Sequence, residues 1–179
     1  MADLVTNDEV NTYLGTSGVD YSAEIKRASH QVVGKIGPVI FTPFTEYHDG
    51  GQDRFLLDYN AIKTDSVTIT DTETGRAIPE NAYIVDKSGV IYKKSGLWYY
   101  GRYQITYDAG LVDSTANVPA DIKQATLMLI EDMQQKESSG YVKEKIGDYS
   151  YEKFDSDKVQ SKREQAMALL EPYGWVGGI

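Results

Sequence analysis

Histidine and cysteine, the side chains that most readily do chemistry near neutral pH, are scarce in this sequence. Cysteine is absent, so thiolate nucleophiles, disulfides and thiolate-bound metals are excluded. The histidines number two, and neither His30 nor His48 has the spacing of a metal-ligand motif. A Ser/His/Asp site would depend on one of them, and no partner is indicated near either. We therefore interpret His30 as a surface or partly buried helical residue and His48 as a surface residue at a turn.

Acidic side chains cluster in two turn-like stretches, residues 49–53 and 71–73. Carboxylate oxygens are ligands that calcium prefers, but the regular spacing of an EF-hand loop is missing and acidic turns are common. The neighbouring glycines, Gly50 and Gly51, do not form a phosphate-binding loop. The sequence does not exclude a pair of carboxylates for glycoside hydrolysis, although no segment points to one. We expect a protein that is not an enzyme and that has no cofactor and no metal.

The charge balance limits the kinds of partner. With 27 acidic and 18 basic side chains the net charge is −9, which argues against wrapping nucleic acid by neutralising phosphates. A negative wall would nevertheless suit DNA that must slide past without being retained. Hydrophobic residues at 41% and charged residues at 25% are typical of a soluble globular protein. No apolar run approaches the ~20 residues that span a bilayer, so we expect no membrane partner.

The elements that would position functional residues are organised around residues 103–135. Alternation places Tyr103, Ile105 and Tyr107 on one face of a strand. A helix then opens at Pro119, which suits the first helical position because it has no N–H to leave unpaired. The negative charge of Asp121 in the first turn is stabilised by the positive end of the helix dipole. Its apolar residues nearly encircle it, which predicts a central helix covered on several sides. They are Ile122, Ala125, Leu127, Met128, Leu129, Ile130 and Met133.

Three more helices are predicted around this one. Thr6 and Glu9 match a capping box that opens a helix ending near Leu14. A second helix follows from about residue 21 to 36, stopped by Gly-Pro. A last helix is expected to begin near Asp155 or Asp157. The predicted buried positions are Ile25, Ala28, Val32 and Ile36 in the second helix, and Val159, Ala166, Leu169 and Leu170 in the last.

Residues 41–108 show a strand-like pattern instead. Residues 46–57 are interpreted as a hairpin with its turn at 49–51, and 66–70 as a single alternating strand. Two more short strands are predicted at 81–86 and 90–93. Eight of the 14 tyrosines lie between Tyr47 and Tyr107, as expected for half-exposed sheet surfaces.

These patterns predict an α+β fold, a small bundle of about four helices around a central helix with an inserted antiparallel β-module. The expected divisions are 1–40 for the N-terminal helices and 41–108 for the β-module. Residues 109–173 would carry the central and C-terminal helices with an extended loop at 137–156, and 174–179 would form a tail.

The order of the segments carries a family resemblance. A β-insertion closes with the sequence ITYDAG at 105–110, a helix opens with VPADI at 118–122, and KIGDYSY at 145–151 precedes the last helix. Over nearly its whole length the chain resembles the head–tail connector proteins of tailed bacteriophages, also called adaptor or head-completion proteins. The large β-insertion departs from the smallest members, which are almost purely helical.

This resemblance implies a virion structural protein at the head–tail interface, made in the host cytoplasm. Family members form a ring, usually of about twelve copies, beneath the portal protein. The ring extends the channel for passing double-stranded DNA, without reading its sequence, and presents a surface to a downstream connector, stopper or tail-completion protein.

Two segments resemble extended pieces that await a partner, and we expect them to bind another subunit or the portal. The first is expected to pair or pack across a subunit boundary, and the second to dock on the portal. The expected binding residues are Ile146, Gly147, Asp148, Tyr149, Ser150 and Tyr151 in the first segment, and Trp175, Val176 and Ile179 in the second. For Tyr149 and Tyr151, simple packing on their own domain stays open.

An alternative function of a different class stays open. The tyrosine-rich β-module could be a monomeric carbohydrate- or protein-binding module, with aromatic rings stacking on a ligand. A connector should show ring-forming contacts, whereas such a module would work as a monomer on a preformed site.

Overall fold

Helix α1 (Asn7–Leu14) begins and ends as predicted in the computed structural model, which describes residues 2–138 and 161–174. The Glu9 amide donates to the Thr6 hydroxyl at 3.2 Å, and the Thr6 amide donates to the Glu9 carboxylate at 2.7 Å. A capping box thus satisfies two of the backbone donors that have no partner within the helix. Gly15 ends the helix with a φ of +67°, in the left-handed region that glycine adopts without strain.

Helix α2 (Ser22–Ile36) also follows its prediction. Its predicted core positions are all buried, and they recur at helical spacing along one face. They are Ile25, Ala28, Val32 and Ile36. His30 lies on the exposed side of this helix, so it is the surface residue that its pattern suggested.

Helix α3 (Ala120–Ser138) opens where the sequence predicted a helix after Pro119, and it packs against α4 (Lys162–Leu170). Most of its buried residues recur at positions i, i+3, i+4, i+7 and i+8, so they form one broad apolar stripe, and Leu127, which was expected to add to an apolar surface nearly all the way round, is only half-buried. They include Ile122, Ala125, Thr126, Leu129 and Ile130. In α4, Ala166 and Leu170 are buried and Leu169 is half-buried.

The predicted start of the last helix near Asp155 or Asp157 is wrong. Ser161 is the N-cap of α4: its hydroxyl accepts from the Glu164 amide at 3.2 Å, and the Glu164 carboxylate accepts from the Ser161 amide at 3.0 Å. This capping box sets the first helical residue at Lys162. Val159, expected on the buried face, lies outside the described residues.

The chain divides into two compact units, each with its own contacts. The helical unit comprises Ala2–Lys35 and Pro119–Gly174, and the β unit comprises Ile36–Val118. The predicted α+β class is therefore confirmed. No helix in the described part of the chain is long and apolar enough to cross a membrane.

The first sheet of the β unit contains β1 (Thr42–Asp49), β3 (Thr68–Asp71) and β6 (Arg102–Ala109). Its strand order is β1-β6-β3, and all neighbours are antiparallel. The central strand places Ile105 opposite Glu46 on one side and Ile69 on the other. Tyr103, Ile105 and Tyr107 share the buried face, as their alternation predicted.

The second sheet contains β2 (Arg54–Leu56), β4 (Tyr83–Asp86) and β5 (Val90–Lys93) in the order β2-β5-β4, again antiparallel. The two short strands predicted at 81–86 and 90–93 are confirmed as β4 and β5, and they pair with each other. The predicted hairpin over residues 46–57 is wrong, because β1 pairs with β6 while β2 pairs with β5. The Asp-Gly-Gly stretch carries the chain from one sheet to the other instead of reversing it within one.

Both sheets contribute to a single aromatic-rich core cluster in the β unit. Phe55 is central to it: its ring stacks on Trp98 at 4.5 Å between centroids and lies 5.5 Å from Tyr103. Its largest members are fully or almost fully buried, and they are Phe55, Ile69, Tyr83, Ile91, Trp98, Tyr103, Ile105 and Tyr107. Short 3₁₀ turns lie at Thr64–Ser66, Glu80–Ala82, Thr115–Asn117 and Glu171–Tyr173.

Candidate partner-binding site

Titratable side chains meet inside the β unit around Glu46 on β1. Its carboxylate accepts hydrogen bonds from the Tyr107 hydroxyl and from the Asp58 amide, the latter at 3.1 Å. His48 Nε2 lies 3.0 Å from Glu46 Oε2, and it donates, because an ionised carboxylate can only accept. The Glu46 carboxylate therefore holds together β1, β6 and the segment that follows β2.

These contacts explain the direction of the pKa shifts. Burial acts to raise the pKa of Glu46, but the donors His48, Tyr107 and the Asp58 amide outweigh it and lower that pKa below its ordinary value of 4.5. Burial first, and then the hydrogen bond to the Glu46 carboxylate, raise the pKa of Tyr107 far above its usual value. Glu46 is thus ionised and Tyr107 protonated throughout the neutral range.

This cluster is structural rather than catalytic in its geometry. His48 was predicted to lie on the surface at a turn, and that is wrong: it belongs to β1, its side chain is only 18% exposed, and its ring lies 5.3 Å from Phe55. Every polar atom of the Glu46 carboxylate is already engaged within the fold. Among residues 2–138 and 161–174, no group of three or more His, Cys, Asp or Glu side chains could hold a metal ion.

Glu46→Gln is expected to destabilise the protein by about 1–3 kcal/mol at pH 7, because an amide cannot accept from all three donors. Since the folded-state pKa is lowered, the contribution of Glu46 is present above its unfolded pKa near 4.5 and is lost as pH falls through the folded value. The difference between wild type and variant in urea unfolding should therefore shrink from pH 7 to pH 3. Asp53→Asn is the control, because Asp53 is 62% exposed and should change stability little. An equal difference at both pH values would contradict the assignment.

The most unusual surface of the β unit is the outer face of its second sheet. Leu56, Ile84 and Tyr92 point away from the core and are 63%, 54% and 38% exposed. The register places Tyr92 between Arg54 and Ile84, and Val90 between Leu56 and Asp86. We call Leu56, Ile84, Val90 and Tyr92 the apolar sheet face.

A second exposed apolar group follows β5, and we call Leu97, Tyr99 and Tyr100 the aromatic loop. Tyr99 is 79% and Tyr100 91% exposed. The backbone beneath them is fixed, because the Trp98 amide donates to the Gln52 carbonyl and the Trp98 carbonyl accepts from the Gly51 amide, both at 2.8 Å. Lys93 Nζ lies 4.2 Å from the Tyr99 ring centroid and donates to the Leu97 carbonyl at 2.6 Å. The loop thus presents aromatic side chains on an ordered backbone.

The outer face of the first sheet, which we call the polar sheet face, carries mostly polar side chains. Thr45 and Thr106 lie opposite each other there and share a hydrogen bond of 3.3 Å. Gln104 pairs with Thr70 on the same face, and the exposed Tyr47 ring is covered by the Arg102 guanidinium at 5.0 Å. One face of the unit is therefore suited to water, whereas the other leaves aliphatic side chains uncovered, which makes it a candidate interaction surface.

Exposed large apolar side chains concentrate in the β unit. Of the nine in the described part of the chain, eight lie within Ile36–Val118, and the exception is Val19. The sequence carried a signal that was missed: β2, β4 and β5 have apolar residues at consecutive positions, namely Phe55-Leu56, Tyr83-Ile84-Val85 and Val90-Ile91-Tyr92. Because successive side chains of a strand point to opposite faces, one set fills the core and the other must point outward.

The residues predicted to bind another subunit or the portal are not placed by the structure. Residues 146–151 and 175–179 both lie outside the described residues, so those assignments stay predictions. The candidate surfaces that the structure does describe, the apolar sheet face and the aromatic loop, were not among them.

Comparison with known proteins supplies the biological context. A family model described as head completion protein matches residues 3–148 of the chain. No curated protein sequence matches it.

Three solved structures share the fold at low sequence identity. A chain from the virion of a native gene transfer agent particle aligns with a TM-score of 0.68 and 17% identity, covering 98% of this chain and 92% of that chain. A chain from the neck of an empty gene transfer agent particle, computed with C6 symmetry, aligns at 0.64 and 18%, with the same coverage of 98% and 92%. A third, from the native neck computed with C12 symmetry, aligns at 0.63 and 16%, covering 96% and 89%.

Proposed function

This chain belongs to the head completion protein family, whose members are structural proteins, and from that premise we propose that it is a ring-forming connector between head and tail. In this role about twelve copies sit beneath the portal protein and extend the channel through which DNA passes. Their far surface receives a downstream connector, stopper or tail-completion protein.

The family match over residues 3–148 is the observation that carries the proposal. Two of the chains that share the fold come from necks computed with C6 and C12 symmetry, which supports assembly as a ring. The neck is the junction at which such a ring would act in this protein's own particle.

The electrostatics fit a channel that lets DNA move. A net charge of −9 repels phosphates, so copies arranged around a lumen would not retain DNA by counterion release. The exposed apolar side chains of the β unit give subunits a means of association that does not depend on charge.

The test is to mix the purified full chain with the portal protein of the same particle and to image the complex by electron cryomicroscopy. Mass measurement of the chain alone is made in parallel. We expect rings stacked on the portal from a protein that is mostly monomeric by itself. A chain that remains monomeric and leaves the portal bare would refute the connector assignment.

The stretch 146–152 is proposed to contact a neighbouring subunit. Replacing Tyr149 and Tyr151 by Ala in one variant should reduce portal-bound rings about tenfold or more, because aromatic anchors dominate interface energies. The measurement is the fraction of portals that carry a ring. Tyr47→Ala, which removes an exposed tyrosine from the polar sheet face, is the control. Rings at wild-type frequency in the double variant would contradict the proposed contact.

The apolar residues of 174–179 are proposed to dock on the portal. Deleting residues 175–179 removes Trp175, Val176 and Ile179 and should weaken portal binding about tenfold or more in a sedimentation assay. A variant with Ala at Gly177 and Gly178 keeps those three side chains and should bind normally. Undiminished binding by the deletion variant would assign portal docking to another part of the chain.

The exposed Tyr99 and Tyr100 favour one alternative, a monomeric carbohydrate- or protein-binding module, because paired exposed rings can stack on a ligand. A glycan-array screen of the isolated full chain discriminates the two. Saturable glycan binding that Tyr99→Ala abolishes, together with no binding to portals, would favour the module.

A further inference from the structure

A closed ring of identical subunits requires two different surfaces on each copy. Every contact in the ring joins one patch of a subunit to another patch of the next, which is a heterologous interface. The β unit has two exposed apolar groups, the apolar sheet face on β2, β4 and β5 and the aromatic loop in the segment that follows β5. We propose that the aromatic loop of one copy docks on the apolar sheet face of the next copy. This inference rests on the proposed connector function.

The two surfaces complement each other chemically. The sheet face offers branched aliphatic side chains, Leu56 and Ile84, beside the ring of Tyr92, on a pleated surface that an inserted ring can cover. The aromatic loop offers Tyr99 and Tyr100, whose large rings bury much area at low conformational cost. Tyrosine is a residue type that recurs at the energetic centres of interfaces.

The loop is preorganised for such a contact. The Gly50 amide donates to the Gly101 carbonyl at 2.8 Å, and the Tyr103 hydroxyl donates to the Tyr99 carbonyl at 3.2 Å. Beside Gly51, the Tyr100 ring is so close that a Cβ there would lie 2.9 Å from it. Since these hydrogen bonds hold the backbone of the loop before it binds, little backbone entropy is lost on docking.

Charge favours a second copy over a charged partner. Each copy carries a net charge of −9, so neighbours repel unless the surfaces that meet are poor in carboxylates. The sheet face has one acidic residue at its margin, Asp86, and one basic residue, Arg54. The aromatic loop itself is uncharged, with Lys93 beneath it.

The size of the patch fits association only within a ring. The exposed parts of Leu56, Ile84 and Tyr92 amount to an apolar area on the order of 300 Å², whereas a stable pair buries about 800 Å² from each partner. One such contact would not hold two free copies together. Copies aligned on a portal would be held by the portal as well, so each contact then acts at high effective concentration.

The absence of cysteine allows a direct test by engineered disulfides in the full chain. Ile84→Cys and Tyr100→Cys are made as single variants, mixed in equal amounts, added to the portal protein and oxidised. We expect disulfide-linked dimers from the mixture at least tenfold above either single variant alone, and a ladder up to the closed ring from the double variant. The matched control is Thr45→Cys, on the polar sheet face, mixed with Tyr100→Cys, and it should give no more dimer than the single variants.

The outcomes separate this inference from the connector function. If rings form on the portal but the Ile84 mixture links no better than the Thr45 control, the docking is wrong and the connector function stands. Linking of each single variant to itself at the same yield would indicate a two-fold contact and also overturn the docking. If no ring forms on the portal with the wild-type chain, both fail. Should Tyr100→Cys fold poorly because its ring packs on Gly51, Tyr99→Cys takes its place.

Discussion

Phe55→Ala is expected to destabilise the protein by about 3–5 kcal/mol, which is among the largest effects available to one substitution in the β unit. Phe55 is fully buried, stacks on Trp98 and contacts His48 and Tyr103, so the cavity would open between the two sheets. We expect the melting temperature to fall by about 10 °C or more. Thermal and urea unfolding followed by tyrosine and tryptophan fluorescence measure this.

The next residue provides the matched control. Leu56 lies on the same short strand but points outward and is 63% exposed, so Leu56→Ala should change stability by no more than about 0.5 kcal/mol. The same substitution should reduce ring formation on the portal if the apolar sheet face is an interface. A destabilisation by Leu56→Ala that equals that of Phe55→Ala would show that the inward and outward assignments along β2 are wrong.

Gly50→Ala is expected to cost about 3 kcal/mol or more, because a Cβ at this position would fall on the carbonyl oxygen of Tyr99. That neighbour is backbone, so it cannot rotate away as a flexible side chain would. Relief requires the 97–101 segment to move, which breaks the hydrogen bonds from Gly50 to Gly101 and from Gly51 to Trp98. We expect lower stability in urea unfolding and a displaced aromatic loop, detected as increased quenching of Trp98 fluorescence by acrylamide when Trp175, the other tryptophan, is replaced by Phe in both proteins.

Gly34→Ala is the counterpart in the helical unit. Gly34 lies in α2, and a methyl group added at its Cα would meet nothing within 4 Å, so alanine should stabilise the helix by about 0.5–1 kcal/mol. A loss of stability from both substitutions, at similar size, would mean that the effect at Gly50 does not come from its close contact with Tyr99.

Local signals were sufficient for most of the helical unit. The capping box at Thr6 and the glycine at position 15 fixed both ends of α1, because caps act within one turn of the chain. The strand around Ile105 and the existence of the helix after it were also predictable, since the buried face of β6 and the buried stripe of α3 appear directly in the apolar pattern. The start of α4 was misplaced although Ser161 and Glu164 form the same kind of box as Thr6 and Glu9.

Strand pairing and the binding surfaces were harder to predict for a physical reason. The Asp-Gly-Gly stretch at 49–51 has the local chemistry of a hairpin turn, but β1 pairs with β6, which is distant from it in the chain. Such pairings depend on tertiary packing that no short window encodes. The half-buried position of His48 follows from the same pairing, since it places His48 opposite Tyr103.

Particles produced without this chain provide the most direct test of its role as a head completion protein. Electron microscopy of such particles, with DNA content measured in parallel, should show heads without attached tails, and supplying the wild-type chain should restore tailed particles. Tailed particles at normal yield in its absence would contradict the head-completion role.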